Sequence, residues 1–109
     1  MDAQGAALAQ PDMALFTADS AFKLAYTGID LVFAFERDNR AMLKALSPDI
    51  KATIDIVRPQ AVACRNAYAK ARTTYIANPT PAGLDRLNSV ISKIQQLTLT
   101  AQAVLPKPN

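Results

Sequence analysis

The sequence contains no histidine, no tryptophan and a single cysteine. Without histidine there can be no Ser-His-Asp or Cys-His arrangement and no imidazole metal ligand. One cysteine cannot close a disulfide within the chain or build a thiolate zinc site. The three glycines, Gly5, Gly28 and Gly83, are too scattered to form a phosphate-binding loop. The nine acidic side chains are equally dispersed, and no pair has a spacing suited to general acid and base work or to a metal. No apolar run approaches the roughly 18–20 residues needed to span a bilayer. The closest, Leu24 to Phe35, contains Gly28 and Asp30. These absences predict a protein that is not an enzyme, with no catalytic residues, no cofactor, no metal site and no transmembrane segment.

What remains is a chain of 109 residues with a formal net charge of +3, the length of one domain. Half of it is apolar and 19% is charged, a balance that opposes disorder. Alanine makes up about a fifth of the chain, which favours helix and makes the apolar half rich in small side chains. Residues 1–12 read as a flexible N-terminal arm, 13–105 as a single helical bundle domain and 106–109 as a C-terminal tail. Ala7-Leu8-Ala9 has the small residues that end a signal peptide, although a basic start and an apolar stretch ahead of them are missing. The arm is the preferred reading, with a signal-peptide remnant as the alternative. The lone cysteine fits a reducing compartment.

Three long helices are predicted. The first runs from about Met13 or Thr17 to Arg37, with Asp12, Thr17 and Asp19 as alternative caps. Leu15, Phe22, Ile29 and Glu36 recur at intervals of seven, joined by Ala25, Tyr26, Val32 and Phe33. Leu24, Leu31 and Phe35 form a second apolar stripe. A helix apolar on two sides needs two neighbours, so this one is expected at the centre of the bundle. Gly28 inside it costs about 1 kcal/mol relative to alanine, which a closely packed neighbouring backbone would offset. A short helical turn, Ala41 to Leu46, is expected between it and the second helix. That helix opens at Ser47-Pro48-Asp49, a cap followed by proline and an acid in the first turn. Its seam is Ile50, Ile54, Val57, Ala61, Cys64, Tyr68, Ala71 and Tyr75, alternating by four and three over roughly 40 Å. The seam keeps its phase across Pro59, so the prediction is one kinked helix ending near Ala77. The third opens at Thr80-Pro81, with Leu84, Leu87, Ile91, Ile94, Leu97 or Thr98, Ala101 and Val104 or Leu105 on its seam. Residues 97–103 also alternate with period two, as in a strand, but no other segment offers a strand partner. Short connections make consecutive helices antiparallel. The predicted fold class is all-α, an antiparallel three-helix bundle with long helices and an extended N-terminal arm. Small alanine contacts bury little area, so self-association or docking on a protein partner is expected.

Two patterns stand out. Lys44, Lys51, Arg58, Arg65 and Arg72 form a basic ladder at intervals of seven, the last four beside the apolar seam. The favoured reading is structural, with Glu36 near Lys51, Asp30 near Arg58 and Asp85 near Arg72. The alternative is a stripe that tracks the phosphates of nucleic acid or an anionic surface, although no aromatics interleave with it for base stacking. The second pattern is a lack of charge from Ile94 to Leu105, where Gln95, Gln96, Thr98, Leu99 and Gln102 offer a neutral partner-binding surface. Cys64 reads as a small buried hydrophobe, with an interchain disulfide or a reactive thiol as the alternative. Tyr26, Tyr68 and Tyr75 read as core residues with a hydroxyl at the edge.

The pattern Ala21-Phe22-x-x-Ala25-Tyr26, Ser47-Pro48, Ala67-Tyr68-x-x-Ala71 and Ala82-x-x-x-x-Leu87 resembles small Ala-rich helical proteins of unassigned function encoded in tailed-bacteriophage genomes. The likeness covers most of residues 20–105 and carries no catalytic residues. It implies a phage origin and a non-enzymatic accessory subunit of the virion, in capsid or tail, acting through helical packing surfaces.

Overall fold

The computed structural model describes residues 12–106, so the expected arm lies outside the described residues except for Asp12, and the tail except for Pro106. The described residues are all-helical: α1 (Met13–Asp38), α2 (Arg40–Leu46), α3 (Pro48–Ala77) and α4 (Pro81–Ala103). The expectation of three helices is therefore corrected to four. The predicted turn between the first two long helices is a helix in its own right, begun after Asn39, whose backbone N–H reaches the carbonyls of Phe35 and Glu36. Leu43 anchors α2 by burying its side chain.

Local chemistry explains the helix ends. Asp12 caps α1 by accepting from the Leu15 backbone N–H at 3.0 Å, and its second oxygen accepts from the Tyr75 hydroxyl at 2.9 Å. The cap thus also ties the start of α1 to the end of α3. Thr80 caps α4 through the Gly83 N–H at 3.0 Å, ahead of proline at the first helical position. Ser47 precedes α3 as predicted, but its side chain makes no capping hydrogen bond. The helix start there rests on Pro48, whose fixed φ suits a first turn and whose missing N–H needs no partner. Pro59 sits exposed within α3, which continues through it as one helix. Residues 97–103 are helical, not extended.

The predicted seams form the core. Seven of the eight seam residues of α3 are buried and Ile50 is half-buried. On α4 both Leu97 and Thr98 are buried, together with Leu87, Ile91, Ile94 and Ala101. The pairing of Asp12 with Tyr75 and of Glu36 with Arg58 makes α1 and α3 antiparallel. Gly28 lies against Thr98 while Met13 and Ala14 share a surface hollow with Leu84 and Asn88, so α1 and α4 run parallel.

The central position belongs to α4, not to α1. Helix α4 packs closely on both α1 and α3, which stand further apart from each other. The reason is side-chain size. Between α1 and α3 lie Phe22, Phe33, Tyr68 and paired ions, whereas α1 meets α4 through Ala25 and Gly28. The second apolar stripe of α1 consequently has no neighbour: Leu24 and Leu31 are exposed and Phe35 is half-buried.

Candidate interaction surfaces

On the contact between α1 and α4, a Cβ at Gly28 would stand 3.0 Å from Thr98 Cγ2 and 3.2 Å from Gln102 Nε2. The close approach expected at Gly28 is therefore made by side chains of α4. The Thr98 hydroxyl lies 2.8 Å from the carbonyl oxygens of both Ala25 and Ile94, so a buried donor has acceptors on its own helix and across the contact. Beside this tight line the two helices splay into a groove of about 600 Å³. Its floor includes Ala21, Ala25 and Gly28, and its rims carry Leu24 and Leu31 on one side and Gln95, Leu99 and Gln102 on the other.

Of the five residues expected to form a neutral surface, Gln95, Thr98, Leu99 and Gln102 line this groove, with Thr98 buried at its base. Gln96 is exposed but lies outside it. The α1 half of the groove is not visible in the apolar spacing, which places the second stripe of α1 in the core. At 3.6 residues per turn, Met13, Phe16, Thr17, Ser20, Leu24, Thr27, Leu31, Ala34 and Phe35 share one sector of about 100°, and none is charged. Leu24 is 77% exposed, Leu31 68%, Leu99 67% and Phe16 62%. Isolated exposed leucines are ordinary, but four large apolar side chains gathered on one uncharged face mark a candidate interaction surface.

The basic ladder meets a different environment. Lys51 and Arg58 converge on Glu36, which is 1% exposed although it occupies an apolar heptad position. Arg58 Nη2 reaches Glu36 Oε1 at 2.8 Å, while Arg40 grips both carboxylate oxygens at 2.9 and 3.1 Å. Lys51 lies 3.8 Å from Glu36 and 2.7 Å from Asp55. The Arg40 hydrogen bonds hold the Glu36 carboxyl below its ordinary value against the opposing effect of burial, and the charges of Arg58 and Lys51 add to them. Arg58 also covers the Phe33 ring at 4.6 Å. The expected contact of Glu36 with Lys51 is present, whereas Arg58 meets Glu36 in place of Asp30.

Arg72 meets Asp19 at 2.9 Å, not Asp85, which is exposed on α4. Asp19 also accepts from the Tyr68 hydroxyl at 2.7 Å. Burial raises the Asp19 pKa, but the Arg72 and Tyr68 hydrogen bonds outweigh it and leave it lowered. Burial, then the hydrogen bond to Asp19, pushes the Tyr68 phenol well up. Arg65 lies exposed with its guanidinium 5.9 Å from the Tyr26 ring centre, and Lys44 is exposed on α2. Neither has an ion-pair partner among the described residues.

Cys64 is buried, and burial raises its thiol pKa, which disfavours the reactive thiolate. Among the described residues no three His, Cys, Asp or Glu side chains come together as a metal cluster, and no helix is long and apolar enough to cross a membrane. Compared with protein-family models, curated proteins and solved structures, the chain matches none.

Proposed function

We propose that the protein is a non-enzymatic interaction subunit that works by docking the uncharged α1–α4 face onto a protein partner. The observation that carries this reading is the row of exposed leucines, Leu24, Leu31 and Leu99, around a small-residue floor on a face free of charge. Such a face is easily desolvated, because removing it from water leaves no unpaired ion behind. The resemblance to tailed-phage proteins supplies the setting, an accessory subunit of the capsid or tail. The competing reading, binding of nucleic acid or an anionic surface through the ladder, has less support because Lys51, Arg58 and Arg72 already pair with carboxylates of the same chain.

The test is a photo-cross-linking amino acid placed at Leu99 or, as a comparison, at Arg65, in the cells that make the protein. Docking through the α1–α4 face yields covalent protein adducts from position 99 and none from position 65. No adduct from position 99 overturns the reading. If the ladder is the working surface, affinity for duplex DNA falls by decades between about 50 and 200 mM salt.

A further inference from the structure

We propose that the partner seated on the α1–α4 face is a second copy of this chain, related by a two-fold axis that passes near Thr27 and Gly28. This rests on the docking reading above and specifies its partner.

Charge is the first argument. The chain carries a formal net charge of +3, so two copies repel least where they meet on faces that present no charge. Lys23, Asp30 and Arg37 all fall outside the sector of α1 that is uncharged from Met13 to Phe35, Asp38 enters that sector only beyond Phe35 with the Arg37 guanidinium 3.9 Å away, and α4 has no charged residue from Ile94 to Ala103. A strongly acidic or basic partner would find no counter-charge here, whereas a second copy of the same face brings none that needs one.

Size is the second. From Phe16 to Phe35 the face runs about 28 Å at 1.5 Å per residue. With neighbouring helix axes about 8–10 Å apart, it is roughly 18 Å wide. That is a footprint of roughly 500 Å² on each copy, smaller than the about 800 Å² of a standard interface and on the scale of a weak, concentration-dependent dimer.

Shape is the third. Leu24 and Leu31 stand one heptad apart as ridges, with Gly28 as the low point between them. A two-fold pairing needs a self-complementary patch, in which residue i meets j and j meets i. An antiparallel crossing of the two α1 helices at residues 27–28 sets Leu24 of each copy opposite Leu31 of the partner subunit. The ridges then meet in pairs over the two small-residue floors.

Sedimentation equilibrium of the full chain over micromolar to submillimolar concentrations reads this directly. The expected mass is twice the 11.7 kDa of the chain. Leu24→Glu and Leu31→Lys should each restore the single-chain mass with unchanged helical circular dichroism, because both side chains are exposed. An equimolar mixture of the two variants should regain the doubled mass, since one opposing pair becomes carboxylate and ammonium while the other stays leucine on leucine. Three results would overturn the inference: a single-chain mass for the unaltered protein, a doubled mass that survives Leu24→Glu, or a mixture that stays monomeric. A single-chain mass together with adducts to a different protein from position 99 would sink the two-fold pairing and leave the docking reading standing. Without adducts both fail.

Discussion

Helix α1 faces its two long neighbours in opposite ways. Toward α3 it presents large and charged groups. Phe22 stacks on Tyr68 with ring centres 4.2 Å apart and planes 13° from parallel, Asp19 takes Arg72 and Tyr68, and Glu36 takes Arg58 and Lys51. Toward α4 it presents Ala25 and Gly28, and a threonine hydroxyl is the polar link. The first contact is wide and fixed in register by direction-dependent bonds. The second is narrow, and the side chains too large for it stand outside as an apolar rim. Drawing cations onto the α1–α3 contact leaves the α1–α4 side neutral. Charge used for internal order and an uncharged outer face are thus two consequences of one distribution of residues.

The largest effect should come from emptying the wide contact. Phe22→Ala removes the ring stacked on Tyr68 and is expected to cost about 3–5 kcal/mol in chemical unfolding. A loss below about 1 kcal/mol would mean that the α1–α3 contact does not depend on its aromatic layer.

Glu36→Ala comes next. It leaves Arg40, Lys51 and Arg58 facing one another without their carboxylate. The cations are partly solvated, so the expected cost is about 1–3 kcal/mol. The same group sets a pH dependence. Glu36, Asp19 and Asp12 are all held below their ordinary values, so as pH falls the unfolded chain takes up protons first. Their contribution is complete above the ordinary carboxylate range and is lost as pH drops through the lowered folded values. Thermal melts should therefore be flat from about pH 6 to 8, where no histidine titrates, and fall below about pH 4. Glu36→Ala should shrink that acid drop. An undiminished drop would move the effect to Asp12 and Asp19.

The smallest effect is expected on the narrow contact. Thr98→Val keeps the shape but removes the donor to the Ala25 and Ile94 carbonyls, both on helical backbone. A cost of about 1 kcal/mol is expected. A loss as large as that of Phe22→Ala would show that the two contacts are not as different as their geometry implies.

Much of the helical skeleton was legible in the sequence. The seams of α3 and α4, the proline starts at Pro48 and Pro81, and the ends near Ala77 and Asp38 follow from periodicity and capping chemistry. Half of the candidate surface was legible too, because a charge-free run on α4 is visible without a structure. The other half was not. Leu24 and Leu31 look like core in a periodicity plot, since apolar spacing records that a stripe is hydrophobic and not what covers it. Ion pairing was legible only for Glu36 with Lys51. Asp30 and Asp85 lost Arg58 and Arg72 to Glu36 and Asp19, a choice set by the rotation of each helix about its own axis.

The bounds of the long helices and the identity of their apolar faces follow from the order of residues alone, because these depend on neighbours within a few positions. Packing in three dimensions puts α4 at the centre, gathers three cations on the glutamate at a heptad position and leaves the second stripe of α1 outside. Those outcomes depend on how closely two helices can approach. Glycine and alanine admit α4 to α1, while stacked rings and paired ions hold α3 further away.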